Sequence, residues 1–525
     1  MRAPGSPTSG PRRRGGALVA ASLVALLAVS ACSSSQGAST TSKVADELTF
    51  GTSLAPPSLN PATGDPAYGS TYQWAYDPLL VTQPDGSIAA GLATKWGYVG
   101  QGNKVFELTV RSGAKFSDGT PVDGQAVKTY LDYERSQKIG SEAALLSTVD
   151  AIAATGMTVR ITFKVPTPSF ATFISQGLGG GNIASPKAVV NPSSLDKDTF
   201  GAGPYKLDPS QTVASDHYTF VPNPFYWDKS RQHFKKVTVK VIPNPSSMVQ
   251  AMRAGQVQAA LGDATTLQGA SSAGLTVIAP PQALTGLNLM DRAGTVSQPL
   301  ADVRVRQALN YAVDRKAIAK ALYGDSNLAL SQYSLTGQPG YDASLDARYP
   351  YDPAKAKELL AAAGYPNGFT LPTLTVSLGG LDKVTEAIAG QLQGVGVKLQ
   401  ITTKANPNDY VVTMLSKKYP AAVIGYGLAN MSTLYAGFVN PAGPFNPFQY
   451  DDKTLDGLYG QYFVAPDSAS AAAQQAINAR LVDQAWTVAV VGAPLSYYTV
   501  KGITGLDATP QNSGVPWLTE IRPAA

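Results

Sequence analysis

The stretch "FELTVRSGAKFSDGTPVDGQAVKTYLDYER", from Phe106 to Arg135, decides the fold. It opens with an apolar strand-type segment and closes with a helix-type segment. Between them, Gly113, Asp118 and Gly119 are residue types that favour turns. The stretch therefore predicts a strand, a turn and a helix in that order, and we expect it to specify the fold and not the ligand.

Alternation of apolar and polar residues predicts further strands on both sides of this stretch. Ordered structure is expected to begin at "ELTFGTS", where Leu48 and Phe50 alternate with smaller polar residues. The segments "TVRITFKV" (Thr158 to Val165) and "KVTVKVI" (Lys236 to Ile242) alternate in the same way. Each is expected to form a sheet strand with one wet side or at an edge.

Helix signals dominate the later part of the chain. In "DPAKAKELLAAAGYP", Asp352 is a predicted N-cap, Pro353 suits the first turn, and Gly364 ends the helix. In "DVRVRQALNYAVDRKAI", Asp302 is predicted to cap a helix that carries Arg304 and Arg306 on its wet side.

A strand, helix, strand unit follows in residues 373–403. The segment "TLTVSL" (373–378), a helix over about 382–393 and "VKLQITT" (397–403) are predicted to close into a parallel pair. The fold class is therefore α/β, with more than one lobe.

The amino terminus has the pattern of an export signal. Residues 1–31 contain four arginines and no acid, and 15–31 are uncharged. The apolar core from Ala17 to Val29 is 13 residues long, whereas a spanning helix needs about 20. We expect residues 1–31 to be removed, so that Cys32, the only cysteine, begins the mature chain, followed by a polar flexible tether over 32–45.

Composition excludes several classes of function. Loss of the four signal arginines lowers the formal net charge from +5 to +1, which gives no electrostatic case for nucleic acid. One cysteine permits no internal disulfide. His217 and His233 are predicted to be solvated, and neither a zinc motif nor a cofactor motif is present.

Catalytic signatures are also missing from the sequence. No G-x-S-x-G elbow occurs, and "GLGGGN" (177–182) is predicted to be a flexible turn and not a phosphate cradle. Paired carboxylates for glycoside hydrolysis remain open, because separation in space is not visible in a sequence. We expect no enzyme, with a secreted hydrolase as the alternative from another class.

Several blocks, in this order, resemble the extracytoplasmic solute-binding proteins of ABC importers, in the family that serves oligopeptides, dipeptides and nickel (family 5). Besides residues 106–135, whose R-x-G-x-K-F-x-D-G-x-P order is the family signature, the blocks are "YDPLLVTQPDGSIAAGLATKW" (76–96), "GAGPYKL" (201–207), "VPNPFYW" (221–227), "DVRVRQALNYAVDRKAI" (302–318), "AKELLAAAGYPNGF" (356–369) and "APLSYYTVKGITGL" (493–506). The sequence "VSAC" similarly resembles the lipobox of bacterial lipoproteins, which implies a lipid on Cys32. The alternative is a secretory signal with an incidental cysteine.

The resemblance implies a two-lobed, class II periplasmic-binding-protein-like fold with an extra subdomain inserted in lobe I. Lobe I would comprise 46–75, 197–284 and 490–525, the insertion 76–196, and lobe II 285–489. It also implies a monomer, held on the outer face of the cell membrane by its lipid, that delivers a solute to an ABC permease and ATPase complex. A sensory or adhesive lipoprotein of the same fold is the alternative.

The ligand is expected to be neutral where it meets lobe II. Residues 410–450 contain no Asp or Glu, and their only charges are Lys417 and Lys418. The loop "AVIGYGLANMSTLYAGF" (422–438) lacks the acid with which peptide-binding relatives pair a free amino terminus. We expect an oligopeptide, N-blocked or apolar, or otherwise a neutral oligosaccharide. The candidate ligand-binding residues are Tyr72, Trp74, Asn288, Tyr410, Tyr426, Asn430, Tyr435 and Phe445.

Overall fold

The structure is a computed structural model that describes residues 46–63, 68–137, 145–428 and 430–524. The predicted signal segment, Cys32 and the tether lie outside the described residues. Within the described ranges, no helix combines the length and the apolar character that a bilayer crossing needs.

The strands of the described residues are β1 Glu47–Thr52, β2 Leu80–Thr82, β3 Ile88–Ala90, β4 Ala93–Tyr98, β5 Val105–Val110, β6 Val149–Thr155, β7 Thr158–Phe163, β8 Tyr205–Leu207, β9 His217–Pro222, β10 Lys236–Val241, β11 Ala259–Leu261, β12 Thr276–Ile278, β13 Pro281–Leu289, β14 Phe369–Val376, β15 Val397–Lys404, β16 Ala421–Gly427, β17 Thr487–Pro494, β18 Tyr497–Thr499, β19 Ile503–Thr504 and β20 Arg522–Pro523.

The α-helices of the described residues are α1 Gly69–Tyr72, α2 Gly124–Gln137, α3 Phe170–Phe173, α4 Pro186–Val190, α5 Pro245–Arg253, α6 Leu267–Ser272, α7 Val303–Tyr311, α8 Arg315–Tyr323, α9 Pro353–Ala362, α10 Leu381–Gln393, α11 Pro407–Leu415, α12 Met431–Leu434, α13 Lys453–Val464 and α14 Asp467–Asp483.

Three larger sheets organise these elements. A seven-stranded sheet has the order β12-β18-β11-β1-β10-β9-β8, a four-stranded sheet the order β4-β5-β7-β6, and a five-stranded sheet the order β15-β14-β16-β13-β17. The fold is a mixed α/β, two-lobed architecture. The predicted lobe boundaries stay a prediction, and the neighbouring strands β13 and β17 each run across one of them.

The strand predictions are confirmed by the burial of alternate residues. In β7, Val159, Ile161 and Phe163 are buried, whereas Thr158 and Arg160 on the other face are exposed. β10 also buries alternate residues, but it lies between β1 and β9 and is not an edge strand. Alternation therefore located these strands without fixing their place in the sheet.

The predicted helix signals are confirmed as well. The side chain of Asp352 accepts from Lys355 N at the start of α9, and Gly364 follows its end with φ of 92°. Strands β14 and β15, which flank α10, pair in parallel as predicted.

In the stretch that decides the fold, β5 and α2 are joined by the predicted turns. Gly113 and Gly119 have φ of 79° and 82°, which favours glycine, and Asp118 Oδ1 accepts from Thr120 N. This segment thus supplies an inner strand of the four-stranded sheet, since β5 pairs with both β4 and β7.

The prediction for Arg306 is wrong, although Asp302 caps α7 and Arg304 is exposed as expected. Arg306 is 2% exposed, and its guanidinium donates to the carbonyls of Gln484 and Leu300. These partners lie elsewhere in the fold or before the helix, so helix periodicity could not reveal them.

The segment 177–182 is a turn, as predicted, but close packing shapes it more than flexibility does. A Cβ on Gly181 would lie 1.9 Å from the carbonyl oxygen of Ile174, and Leu79 N donates to the carbonyl of Gly181 at 3.0 Å. Glycine is required here because two backbone segments approach each other.

Candidate functional site

A cavity of about 210 Å³ lies where three parts of the chain meet. One wall comes from residues 82–86 and 168–172, beside the four-stranded sheet. The facing wall comes from residues 333–339, Asn430, Met431 and residues 462–474, beside the five-stranded sheet. Residues 511–513 of the carboxy-terminal segment complete it. The cavity thus joins segments that are far apart in the sequence.

The lining of this cavity is polar but uncharged. None of the described residues that line it is Asp, Glu, Lys, Arg or His, whereas Ser, Thr, Gln, Asn and Tyr supply hydroxyl and amide groups. Burial raises the pKa of Tyr333 in this wall to about 12, so its phenol stays neutral. A solute in this cavity meets hydrogen-bonding groups and no formal charge.

Two buried serines on facing walls have hydroxyl groups free for a solute. Ser169 is 7% exposed and Ser334 is 3% exposed, and neither hydroxyl has a hydrogen-bond partner among the described residues. Asn430 accepts from Thr433 N through Oδ1, whereas no described residue accepts from its Nδ2. These hydroxyl groups and the Asn430 amide are therefore available for a hydrogen bond with a solute or with water in the cavity.

Gln338 holds the cavity wall to the carboxy-terminal segment. Its Nε2 donates to the carbonyl of Leu428 at 2.7 Å and to that of Pro510 at 3.3 Å, and its Oε1 accepts from Leu335 N at 2.9 Å. The amide is therefore occupied by the protein itself, so Gln338 shapes the wall and has little capacity left for a solute.

A second cavity, of about 300 Å³, shares Thr82 with the first and has a different character. Its lining includes Asp507, Glu520 and Arg522. Glu520 is ion-paired with Arg231, whose guanidinium lies 3.5 Å from the ring centroid of Trp517. The charged side chains of Asp507, Glu520 and Arg522 therefore line the second cavity and not the first.

Among the predicted ligand-binding residues, Asn430 lines the first cavity. Tyr426 and Phe445 instead pack with Phe438 in an aromatic cluster, with ring centroids 4.8 to 5.1 Å apart. The Tyr426 hydroxyl donates to the carbonyl of Thr433 at 2.7 Å. Ligand contact by Tyr426 or Phe445 stays a prediction, and the described contacts are those of core residues.

The other predicted residues of the five-stranded sheet region also have protein partners. Tyr410 donates its hydroxyl to the carbonyl of Val423 at 2.8 Å, and Tyr435 packs on Tyr459 at 4.7 Å. Asn288, fully buried, donates to the carbonyl of Phe445 at 2.9 Å and accepts from Arg292 at 2.9 Å. None of the three lines the first cavity.

Tyr72 and Trp74 lie on the side of the seven-stranded sheet. Trp74 is fully buried between the rings of Phe50 and Tyr205, at centroid distances of 6.0 and 6.2 Å. Tyr72 is buried against Tyr76. Their role in ligand binding stays a prediction, and neither lines the first cavity.

Ser169 and Ser334 could not be identified as site residues from the sequence. Both are common residue types in irregular segments, and neither belongs to a motif or a periodic pattern. The described residues also include no cluster of His, Cys, Asp and Glu that could hold a metal ion.

Comparison with known proteins agrees with this arrangement. The family described as "Bacterial extracellular solute-binding proteins, family 5 Middle" matches residues 87–444, which is more than half of the chain. The glutathione-binding protein GsiB of Salmonella paratyphi A is 29% identical over 67% of this chain and 70% of its own length. The nickel-binding periplasmic protein of Escherichia coli K12 is 30% identical over 62% of each chain.

A solved structure shows the same fold. The periplasmic binding protein DppA from Helicobacter pylori, in complex with the peptide STSA, superposes with a TM-score of 0.71 at 20% identity, over 91% of this chain and 98% of that one. The match through residues 87–444 takes in both the four-stranded sheet and most of the five-stranded sheet. The chain belongs to family 5 of the bacterial extracellular solute-binding proteins.

Proposed function

We propose that this protein captures an uncharged solute in the first cavity and delivers it to an ABC permease. The preferred candidate for the solute is an oligopeptide. The observation that carries the proposal is the lining: hydroxyl and amide groups without protein partners lie on facing walls, and none of the described residues that line the cavity is charged. An unpaired charge buried in such a lining is costly, whereas neutral polar groups find partners there.

A peptide fits this lining better than a sugar does. The aromatic residues that line the cavity, Tyr333 and Tyr462, are each 4% exposed, so they offer almost no ring face for a sugar to stack on. Hydroxyl and amide groups suit the carbonyl and amide groups of a peptide backbone. A neutral oligosaccharide remains the second candidate, because the same groups also match sugar hydroxyls.

A panel of defined solutes tests the proposal by thermal unfolding of the soluble protein. N-acetyl-trialanine amide, free trialanine, maltotriose and a nickel salt cover the uncharged peptide, the charged peptide, the sugar and the metal. A solute that binds only the native state stabilises it by about 2.7 kcal/mol at a hundredfold excess over Kd. We expect the uncharged peptide to raise Tm most. Nickel alone raising Tm, or release of a cleaved product, would contradict the proposal.

Removal of either buried serine hydroxyl should weaken capture of the solute. Ser169→Ala and Ser334→Ala each remove one group from the lining, and we expect each to raise Kd for N-acetyl-trialanine amide roughly two- to tenfold, the value of one neutral hydrogen bond. Fluorescence or calorimetric titration measures the change. Ser496 is the matched control, since it is also buried with an unpartnered hydroxyl but does not line the cavity. Equal Kd values for Ser169→Ala, Ser334→Ala and Ser496→Ala would remove these serines from the site.

The same proposal places the protein on the outer face of the cell membrane through a lipid on Cys32. Support comes from the sequence, in which an export-type segment ends in "VSAC" and a polar segment separates Cys32 from β1. Two or more acyl chains hold a protein on a bilayer, whereas one is marginal. A tether beside the permease would keep a captured solute near its point of delivery.

Replacement of Cys32 by alanine is expected to release the protein from the membrane without changing its affinity for the solute. The reason is that Cys32 precedes the described fold, which begins at Asp46. Fractionation of cells and titration of the released protein measure the two effects. Retention of Cys32→Ala in the membrane fraction would show that the lipid anchor is not on this cysteine.

A further inference from the structure

Asn103 joins the four-stranded sheet region to helix α13 across the edge of the cavity. Its Nδ2 donates to the carbonyls of Phe463 at 3.0 Å and Ala465 at 3.1 Å. These carbonyls belong to the carboxy-terminal end of α13, where helix carbonyls have no partner within the helix. One amide group therefore caps a helix that belongs to a different part of the fold.

The position of Asn103 ties it to the cavity wall. It lies between β4 and β5 with φ of 53°, a conformation that asparagine tolerates, and it is 8% exposed. Its carbonyl accepts from Thr167 N at 2.9 Å, two residues before Ser169, and Phe463 follows Tyr462 of the opposite wall. The bridge thus stands directly beside residues that line the cavity.

The hydrogen bond from Gln338 to Pro510 is a second bridge, at a separate point of the lining. Both bridges use neutral groups of the protein and need no solute. Opening the cavity by moving the walls apart would break the two Asn103 bonds and return their groups to water. The cost is modest, because water replaces the lost partners, but each hydrogen bond still favours the closed arrangement by a small net amount.

We propose that Asn103 is a positioning residue for solute capture, whose bridge to α13 favours the closed arrangement of the walls and slows release of the solute. The effect on release rests on the proposed function, whereas the effect on the walls does not. A solute that enters while the walls are apart and is then enclosed leaves only after the walls separate again, so a higher ratio of closed to open form slows its release. Loss of the bridge should lower this closed-to-open ratio roughly tenfold, as expected for the two hydrogen bonds together.

Two variants remove the bridge and still allow the positive φ angle at position 103. Asn103→Gly deletes the amide and keeps a residue that accepts positive φ. Asn103→Asp keeps the size and replaces the donating amide by a carboxylate, which repels the two carbonyls. Ser215→Gly is the matched control, because Ser215 also has positive φ, at 67°, and lies in the turn before β9.

The test measures the separation of the walls without any solute. In the soluble Cys32→Ala protein, which has no other cysteine, Lys95→Cys and Val412→Cys place one spin label beside each sheet at exposed positions. Pulsed electron resonance gives the distance distribution. We expect the distance between the labels to be longer and more broadly distributed in Asn103→Gly and Asn103→Asp. In Ser215→Gly we expect no change in this distance distribution. Tm is measured for each variant to confirm that it is folded. If the folded Asn103 variants give the same distance distribution as the protein with Asn103, the proposal is overturned.

Release of N-acetyl-trialanine amide gives the second readout. We expect the dissociation rate to rise roughly tenfold in Asn103→Gly, with the association rate changed far less, as for most changes that loosen a complex. A lower association rate with an unchanged dissociation rate would contradict the proposal. If this peptide does not bind, the proposed function fails, while the distance distributions still decide the role of Asn103.

Discussion

Replacement of Asp77 by asparagine is expected to abolish a pH dependence of stability worth about 2.4 kcal/mol between pH 4 and pH 7. Asp77 is fully buried; Oδ2 accepts from Tyr226 at 2.9 Å and from Trp227 at 3.1 Å, whereas Oδ1 has no partner among the described residues. Burial raises the pKa of this carboxyl from 3.8 to about 6, although Arg231 and the two donors oppose the shift.

The sign follows from proton uptake. Between pH 3.8 and about 6 the folded protein keeps the proton and the unfolded chain loses it, so this group's contribution to stability falls as pH rises through that window. Asparagine does not titrate and still accepts from Tyr226 and Trp227. The free energy of unfolding of Asp77→Asn relative to wild type should therefore grow from pH 4 to pH 7.

Urea titrations at pH 4, 5, 6 and 7 measure this difference. Asp150→Asn is the control, since it makes the same substitution at an exposed position. If the profile of Asp77→Asn is parallel to that of wild type, the buried carboxyl titrates normally and the account of its environment is wrong.

Replacement of Asp291 by alanine is expected to lower the free energy of unfolding by about 3 to 5 kcal/mol. The carboxylate is fully buried and accepts from Thr295 N and Oγ1, both at 2.8 Å, from Val296 N at 2.6 Å and from Ser297 N at 2.7 Å. Alanine would leave these donors without an acceptor, three of them backbone groups whose positions the turn fixes.

Asp291 is followed in the chain by a residue that contacts Asn288, one of the predicted ligand-binding residues. The next residue, Arg292, places its guanidinium 3.8 Å from the ring centroid of Trp486 and donates to Asn288, which in turn holds the carbonyl of Phe445. Asp291→Asn, which keeps one acceptor oxygen, should lose much less stability than Asp291→Ala. Denaturant unfolding measures both variants. Equal losses would show that one retained acceptor oxygen does not preserve the turn and that both carboxylate oxygens are needed, which would contradict this expectation.

Local patterns predicted the elements of the fold because their causes are local. The alternation in β7 and the cap at Asp352 depend on neighbours within a few residues. The error at Arg306 has the opposite origin, since its partner Gln484 lies far along the chain. Helix position alone cannot distinguish an exposed arginine from one that carbonyls satisfy in the interior.

The candidate site could be predicted from the sequence less well than the fold, for a similar reason. The aromatic, acid-free composition of residues 410–450 is compatible with a ligand wall, yet Tyr426, Phe438 and Phe445 pack on one another. Ser169 and Ser334 come together only through the fold. Residues 410–450 contribute only Leu428, Asn430 and Met431 to the described lining, so the residues that form the wall depended on long-range packing.

The central claim is that the cavity takes an uncharged solute, and one calorimetric titration tests it most directly. The soluble Cys32→Ala protein is titrated with N-acetyl-trialanine amide and, in parallel, with trialanine that has free termini. Because none of the described residues that line the cavity is charged, the account predicts that the blocked peptide binds and that the free peptide binds more weakly. Tight binding of the free peptide that acetylation of its amine abolishes would contradict the account, since it would require an anchoring carboxylate in the site.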